Sequence, residues 1–591
     1  MKKTFGLALF ITIILVGAAF AVAGVLAVQF SAEPTVPEGY RITESGTNAP
    51  NIIKSAGLFR LTGNINSTLI IDDDNIIIDG NGYSLFGSGD SYGIWLIDRT
   101  NVTIKNFNIQ GFNVGIECDH LAPLSILPIF PQLDTTRNID ITISNCTISN
   151  SRAGIGLWAC VGGSFFDNKI ANCTLGIIFN GINDNNFTNN QITQTQYGFH
   201  YYELGANNHV DTSNTINGKL IYQWINQTDR IIPENAAIVI LDNCQNITIS
   251  NLNLTRNDPA VFIANSNNCT INENIIDQNN VGIHIIKSTN ISITFNRLTN
   301  NSKAIDAYSS EQTTILNNLI ESNGQGIAGN YCSNATILNN QIKQNEGGAI
   351  KWDSNVNITG NFIYANNGNG IGIASAPAYI TGNNITLNKG VGVVIGGSNG
   401  CISNNYIAKN KMGVFGQGVK YFSIISNDFT ENSEEAIKFD GTAIKSDGTP
   451  NFDRACTNNS IYYNNFIGNN KNANQTSIGD IASGIRPDRS LIFLSGLANF
   501  WDDGVKGNYW SDYNGTGAEP YYINENNQDN HPLPSPLPFS PLEMPSTEPI
   551  QNKITEQTAP IGLIAGIAVA VVTFVIIVVF SLTVYFKKRK H

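Results

Sequence analysis

A period of about 22 residues, within the range that marks stacked repeat architectures, constrains this chain more than any other property. A small residue followed by an apolar one recurs at Gly93-Ile94, Gly115-Ile116, Gly154-Ile155, Gly176-Ile177 and Gly198-Phe199. It recurs again at Ala260-Val261, Gly282-Ile283, Ala304-Ile305, Gly326-Ile327, Ala349-Ile350, Gly370-Ile371, Gly392-Val393, Gly413-Val414 and Ala436-Ile437. From Ala260 onward every step equals that period or differs from it by a single residue. A fixed period of this size means a stacked array, in which each unit buries its apolar face against its neighbours. The segments are short, β-branched and bounded by Asn and Gly, so they read as strands. An Asn two places before an apolar residue runs in phase with the first marker, as in Asn274/Ile276, Asn318/Ile320, Asn340/Ile342 and Asn427/Phe429. Coils stacked at strand spacing, ~4.8 Å, place these amides one above another as a ladder. The fold this implies is all-β: a right-handed parallel β-helix over residues 40–500.

Three stretches depart from the rhythm. The step from Gly115 to Gly154 is too long for one coil and reads as a coil plus an insertion near 120–137. A second insertion falls near 441–456. Both leave after the same strand of the coil, so both are expected on one edge, walling a groove. The stretch from Gly198 to Ala260 reads as three coils, with Lys219-Leu220 and Ala237-Ile238 as weakened markers.

The ends read differently. Lys2 and Lys3 precede an apolar run, so residues 1–30 are expected to be a signal peptide or signal anchor. Residues 561–586 carry no charge and are long enough to cross ~30 Å of hydrocarbon as a helix. The basic tail at 587–591 is then cytoplasmic, which places the β-helix outside the plasma membrane. Residues 501–530 form a distinct segment, and the Pro-rich stretch at 531–560 reads as a semi-extended stalk. Only 14% of residues are charged and the net charge is −12, which argues against nucleic acid as a partner. The cell membrane and an envelope polysaccharide are the expected partners. Nine Cys occur without a CxxC pair, most of them inside repeats, and one or two disulfides are left open. Seventeen Asn-x-Ser/Thr sequons occur. Glycosylation at some is expected of a surface protein, although a repeat that puts Asn before an Ile-Thr-Ile strand makes sequons by itself.

Units such as "NVTIKNFNIQGFNVGIE" and "NATILNNQIKQNEGGAI" resemble the NosD-like, carbohydrate-binding/sugar-hydrolase (CASH) β-helix proteins. "NTINGKLIYQWINQTDRIIPENAAIVILDNCQNITISNLNL" and "WDDGVKGNYWSDYNGTGAEPYYINENNQDNHPL" look like blocks of archaeal NosD-like surface proteins. The resemblance covers roughly residues 50–535. It implies an association with copper-enzyme maturation. Soft copper ligation wants clustered Cys, Met or His. The six His and three Met show no such cluster, so no cofactor is expected. Relatives often carry an acidic, Gly-rich calcium loop after "GNYWSDY". Here Thr516-Gly517-Ala518-Glu519 replaces it, which puts calcium in doubt.

Alternate strand residues face outward. In the early coils the two outward columns contain Trp95, Glu117 and His200, and Asp119, Trp158 and Tyr202. Aromatic faces beside carboxylates suit sugar rings and their hydroxyls. In the central coils the same columns contain His284, Asp306 and Lys351, and Tyr308 and Asp353. A base, a carboxylate, a phenol and a lysine on one face are the ingredients of general acid–base chemistry, though a solvated polar strip is the plainer reading. Asp353 and Asp440 lie four coils apart, roughly 19 Å, too far to act as a glycosidase pair. The leading expectation is a membrane-anchored surface protein that binds glycans without turning them over. The alternatives are a polysaccharide lyase, hydrolase or epimerase working in the same groove, and a NosD-like accessory protein for copper-enzyme maturation.

Overall fold

The computed structural model describes residues 40–42, 51–120, 137–203, 205, 207–374, 377–440, 456–475, 499–524 and 527–542. Strands of equivalent type pair in parallel from coil to coil, so that Ile283 faces Ile305 and Ile305 faces Ile327. Each coil contributes to three sheets, as the coils from residue 236 onward show. One contains the Gly-Ile strands, such as Val281–Ile286 and Lys303–Tyr308. One contains the Asn-x-Ile strands, such as Ile275–Asp277. The third contains strands such as Thr270–Asn272. Right-handed winding is the hand favoured for any parallel crossover. The inward columns, Ile283, Ile285, Ile305 and Ala307 among them, are fully buried. The small residue of the first marker answers to close backbone approach, since a Cβ at Gly282 would sit 2.6 Å from the Ala304 carbonyl oxygen.

Asn has two different jobs. At the turns Asn246, Asn268 and Asn290 take φ of 53°, 54° and 54°, the left-handed region that Asn tolerates better than most residues with a Cβ. Two more sequon residues, Asn101 and Asn145, do the same at 55° and 49°. Turn chemistry therefore accounts for much of the sequon density. Inside, the amide ladder runs from Asn274 through Asn296, Asn318, Asn340, Asn361, Asn383, Asn405, Asn427 and Asn464 to Asn508, each Nδ2 donating to the next Oδ1 at 2.9–3.0 Å. A second buried ladder, from Asn279 through Asn301 and Asn323 to Asn345, flanks the other end of the same strands.

The solenoid is two stacks and not one. Strands Thr215–Ile216 and Lys219–Ile225 form an antiparallel hairpin. Asn217 and Gly218 turn it with φ of 50° and 79°, the signs of a type I′ turn. Three ordinary coils between Gly198 and Ala260 were the expectation; the hairpin corrects it by ending one stack and starting another. Strand Ala236–Asp242 is then buried on both faces. Val239 and Leu241 point into the second core, Ile238 and Ile240 into the first. Phe262 and Ala264 join the first core from the next coil. The outer face of the second stack thus plugs the open end of the first, which explains why "AAIVIL" is a continuous apolar run.

The segment at 501–530 is the C-terminal cap. Trp510 stacks on Phe466 at 4.3 Å and Tyr521 on Trp510 at 4.1 Å. Asp529 is buried and accepts from Asn508 N at 2.7 Å and Trp510 Nε1 at 2.9 Å. Gly507 must be small here, because a Cβ would meet Asp529 Oδ1 at 1.8 Å. The Pro-rich stretch does not start as a free stalk. Asn465 brackets Leu537 with two hydrogen bonds of 2.9 and 2.8 Å, Phe539 stacks on Tyr406, and Asn384 donates to the Leu542 carbonyl at 2.9 Å. Residues up to 542 therefore run back across the outside of the Asn-x-Ile sheet. Proline content could not distinguish a docked strap from a linker, since neither offers a periodic apolar face.

All nine cysteines are free thiols and eight are buried. The eight fill core positions, and the Cys118 and Cys160 side chains meet there. The apolar runs at 1–30 and 561–586 and the insertions at 121–136 and 441–455 lie outside the described residues. Among the described residues no helix is long and apolar enough to cross a membrane. The strands flanking both insertions, Val114–Asp119 and Glu435–Asp440, are Gly-Ile strands, as is Lys471–Gln475 before a third such gap at 476–498.

Candidate functional site

The outward face of the first stack's Gly-Ile sheet gathers part of the early set. Trp95 pairs in register with Glu117, and Glu117 with Gly156. Tyr92 and Trp95 lie with ring centroids 5.4 Å apart. The Glu117 side chain leans over Gly156, where a Cβ would come within 1.9 Å of its Oε2. It is not the exposed carboxylate expected from alternation: Glu117 is 6% exposed. Burial first, then the Asp119 charge, pushes its carboxyl up to about 7, against opposing pulls from Trp158 and Arg152. Asp119 is half-buried and accepts from His120 N at 2.8 Å, while His120 Nδ1 meets Asp98 Oδ1 at 2.7 Å. Trp158 and Trp95 are half-buried, and Trp95 Nε1 has no partner among the described residues. The patch is therefore two indoles and a phenol around a carboxyl that is about half protonated near neutral pH.

His200 and Tyr202 do not belong to it. Buried Ile178 separates His200 from Gly156. The ladder slips at Tyr202, so that Asn180 faces Glu203. A one-residue bulge is invisible to a counting rule, and it removes Tyr202 from its assigned column.

His200 instead joins a cleft of about 510 Å³ where the end of the first stack meets the outer face of the second. His200 Nδ1 pairs with Asp258 Oδ2, and Asn280 Nδ2 also donates to that oxygen at 2.9 Å. His284 stacks on Phe262, centroids 5.6 Å apart and planes 7° from parallel. His284 Nδ1 is 3.8 Å from Asp306 Oδ2, and Lys303 Nζ donates to the same oxygen at 2.9 Å. Burial lowers the His284 pKa, partly offset by Asp306, so its imidazole is neutral at pH 7.

The central set of five thus splits. His284 and Asp306 come together as adjacent-coil partners. Tyr308 points away, 43% exposed and edge-on to Tyr331. Lys351 is two coils on, aligned through Ala328, and lines a separate shallow groove of about 460 Å³. Asp353 accepts the Tyr331 backbone N–H at 2.6 Å. A coil advance of ~4.8 Å prevents residues two coils apart from meeting Asp306. The ammonium there is supplied by Lys303, three residues from Asp306. Asp258 was also missed, because the junction that delivers it is not periodic. Among the described residues no three His, Cys, Asp or Glu converge as a metal set.

The model of the family described as "Right handed beta helix region" matches residues 236–377 and 349–488. The chain is a right-handed parallel β-helix protein. No curated protein matches this β-helix chain. The A-module of the Azotobacter vinelandii mannuronan C-5 epimerase AlgE4 is 13% identical, covering 64% of this chain and 87% of its own, with a TM-score of 0.23. A periplasmic alginate epimerase, AlgG, is 10% identical over 71% of this chain and 79% of its own, at 0.20. The active domain of tailspike protein 2 of bacteriophage CBA120 is 15% identical over 53% of this chain and 43% of its own, at 0.21. These scores carry no argument about chemistry or substrate.

Proposed function

We propose that this β-helix is a membrane-tethered, extracytoplasmic protein of the NosD-like, CASH-domain kind that binds carbohydrate on the first stack's outward Gly-Ile face. One observation carries the reading: Trp95, Glu117 and Trp158 lie across adjacent coils as aromatic surfaces around a single polar group. Indole faces suit the apolar faces of sugar rings, and a few convergent polar groups orient a ligand. A carboxyl held near pH 7 can donate to a sugar oxygen when protonated and accept from a hydroxyl when ionised. The tether rests on residues 1–30 and 561–591, and glycosylation on the exposed turn asparagines.

The test is a glycan array with the full chain in detergent, followed by titration of the best binder. Trp95→Ala and Trp158→Ala should each weaken binding about tenfold, ~1.4 kcal/mol, with melting unchanged. Wild-type affinity in both variants overturns the proposal. The imidazole–carboxylate contact of His284 and Asp306 favours a second reading, a polysaccharide-modifying enzyme. Shortening or isomerisation of any arrayed glycan would decide for it.

A further inference from the structure

The cleft between the two stacks has a composition unlike the indole patch. We propose that it is a separate binding site for one uncharged sugar unit, such as the end of a glycan. The reading of carbohydrate as the ligand class is shared with the face above; the residues are not.

Four features carry the assignment. The volume, about 510 Å³, is in the range of small-ligand sites and suits one or two sugar rings rather than a polymer segment. One wall of the site is the half-exposed His284 ring, held by stacking on the buried Phe262, with Val281 and Ile286 beside it. Hydrogen-bond capacity is left over. The His284 ring makes no hydrogen bond among the described residues, and Lys287 forms no ion pair there. The Tyr201 ring packs on Phe179 and Phe199 behind the cleft wall. The charges select against anions. Asp242, Asp258 and Asp306 line the cleft with Lys287 and Lys303. Lys303 is already held by Asp306, and Asn265 holds Asp242 with a 2.8 Å hydrogen bond. A carboxylate or phosphate ligand would face three carboxylates with one lysine uncommitted. A neutral ring with alternating hydroxyls finds both donors and acceptors. The cleft is closed on one side by His200 and Tyr201 at the end of the first stack, so a chain enters by its end.

Isothermal titration of the full chain in detergent tests this with the methyl α-glycosides of glucose, galactose and mannose, and with glucuronate and galacturonate. At least one neutral glycoside should bind. His284→Gln should weaken it about tenfold, and so should Val281→Trp, which fills the mouth from its half-exposed rim. Trp95→Ala should leave it unchanged. If His284→Gln lowers the melting temperature, Val281→Trp decides alone. No binding by any neutral glycoside, binding of the uronates only, or wild-type affinity in Val281→Trp overturns the proposal. Loss in Trp95→Ala assigns the binding to the indole patch and also overturns it. Retained cleft binding with every arrayed glycan insensitive to Trp95→Ala and Trp158→Ala would sink the face proposal alone.

Discussion

Glu117 shows how position in a coil alters the chemistry of one side chain. Its outward direction follows from alternation, but Gly156 in the next coil leaves a hollow into which the carboxyl folds. The folded pKa, about 7, lies above the ordinary 4.5. Below pH 4.5 the group is protonated in both folded and unfolded chains and costs nothing. Above about 7 the folded state must hold an ionised, buried carboxylate, a penalty of up to about 3 kcal/mol. Glu117→Gln should therefore raise the melting temperature at pH 8 and leave it unchanged at pH 4. Thermal melts of both proteins at the two pH values check this. Equal gains at both would mean that packing, and not ionisation, is responsible. The turn asparagines make a related point: a positive φ explains Asn101 and Asn145 without glycans, so a sequon here identifies a turn before it identifies a modification.

At the level of the strand and its turns, the Asn ladder is the element that fixes register. Asn340 accepts from Asn318 N and Nδ2 at 2.9 and 3.0 Å and donates to the Ile315 and Leu338 carbonyls at 2.8 and 3.1 Å. All but the part-buried Leu338 contact are buried between the coils above and below. Asn340→Ala should leave at least two of them unsatisfied, at ~1–3 kcal/mol each. The expected loss is roughly 2–5 kcal/mol by chemical denaturation. Because coils interact only with neighbours, amide exchange should rise in the coils around Asn340 and remain slow near Ile116. Uniform acceleration along the chain would contradict a local role. The second ladder, through Asn301 and Asn323, went unread because its Asn follows the apolar strand, where a turn residue is the ordinary expectation.

The whole molecule has to close its ends. A stack presents its last apolar coil to water unless something covers it. The second stack covers the first, and Trp501, Trp510 and Tyr521 cover the second. The "GNYWSDY" and "NQD" pieces thus act on the fold: Gly507 admits Asp529, and Asp529 orients Trp510. Trp510→Ala should cost ~3–5 kcal/mol and expose Phe466. The readout is a lower denaturation midpoint, with dye binding appearing before global unfolding. A midpoint within error of wild type would remove the cap from this account.

The sequence by itself determined the coil. The coil period, the inward Ile columns, the central Asn ladder and the pairing of His284 with Asp306 are all consequences of repetition, and repetition is legible in one dimension. Only the tertiary structure decided what lies across the junction. The Asn217-Gly218 hairpin was a readable signal, but not its result, which buries "AAIVIL" on both faces and carries His200 and Asp258 to His284. The strap to Leu542, the burial of Glu117 and the slip at Tyr202 are of the same kind. Each depends on a local departure from the repeat, a missing side chain, an extra residue or a returning segment, and no period encodes those.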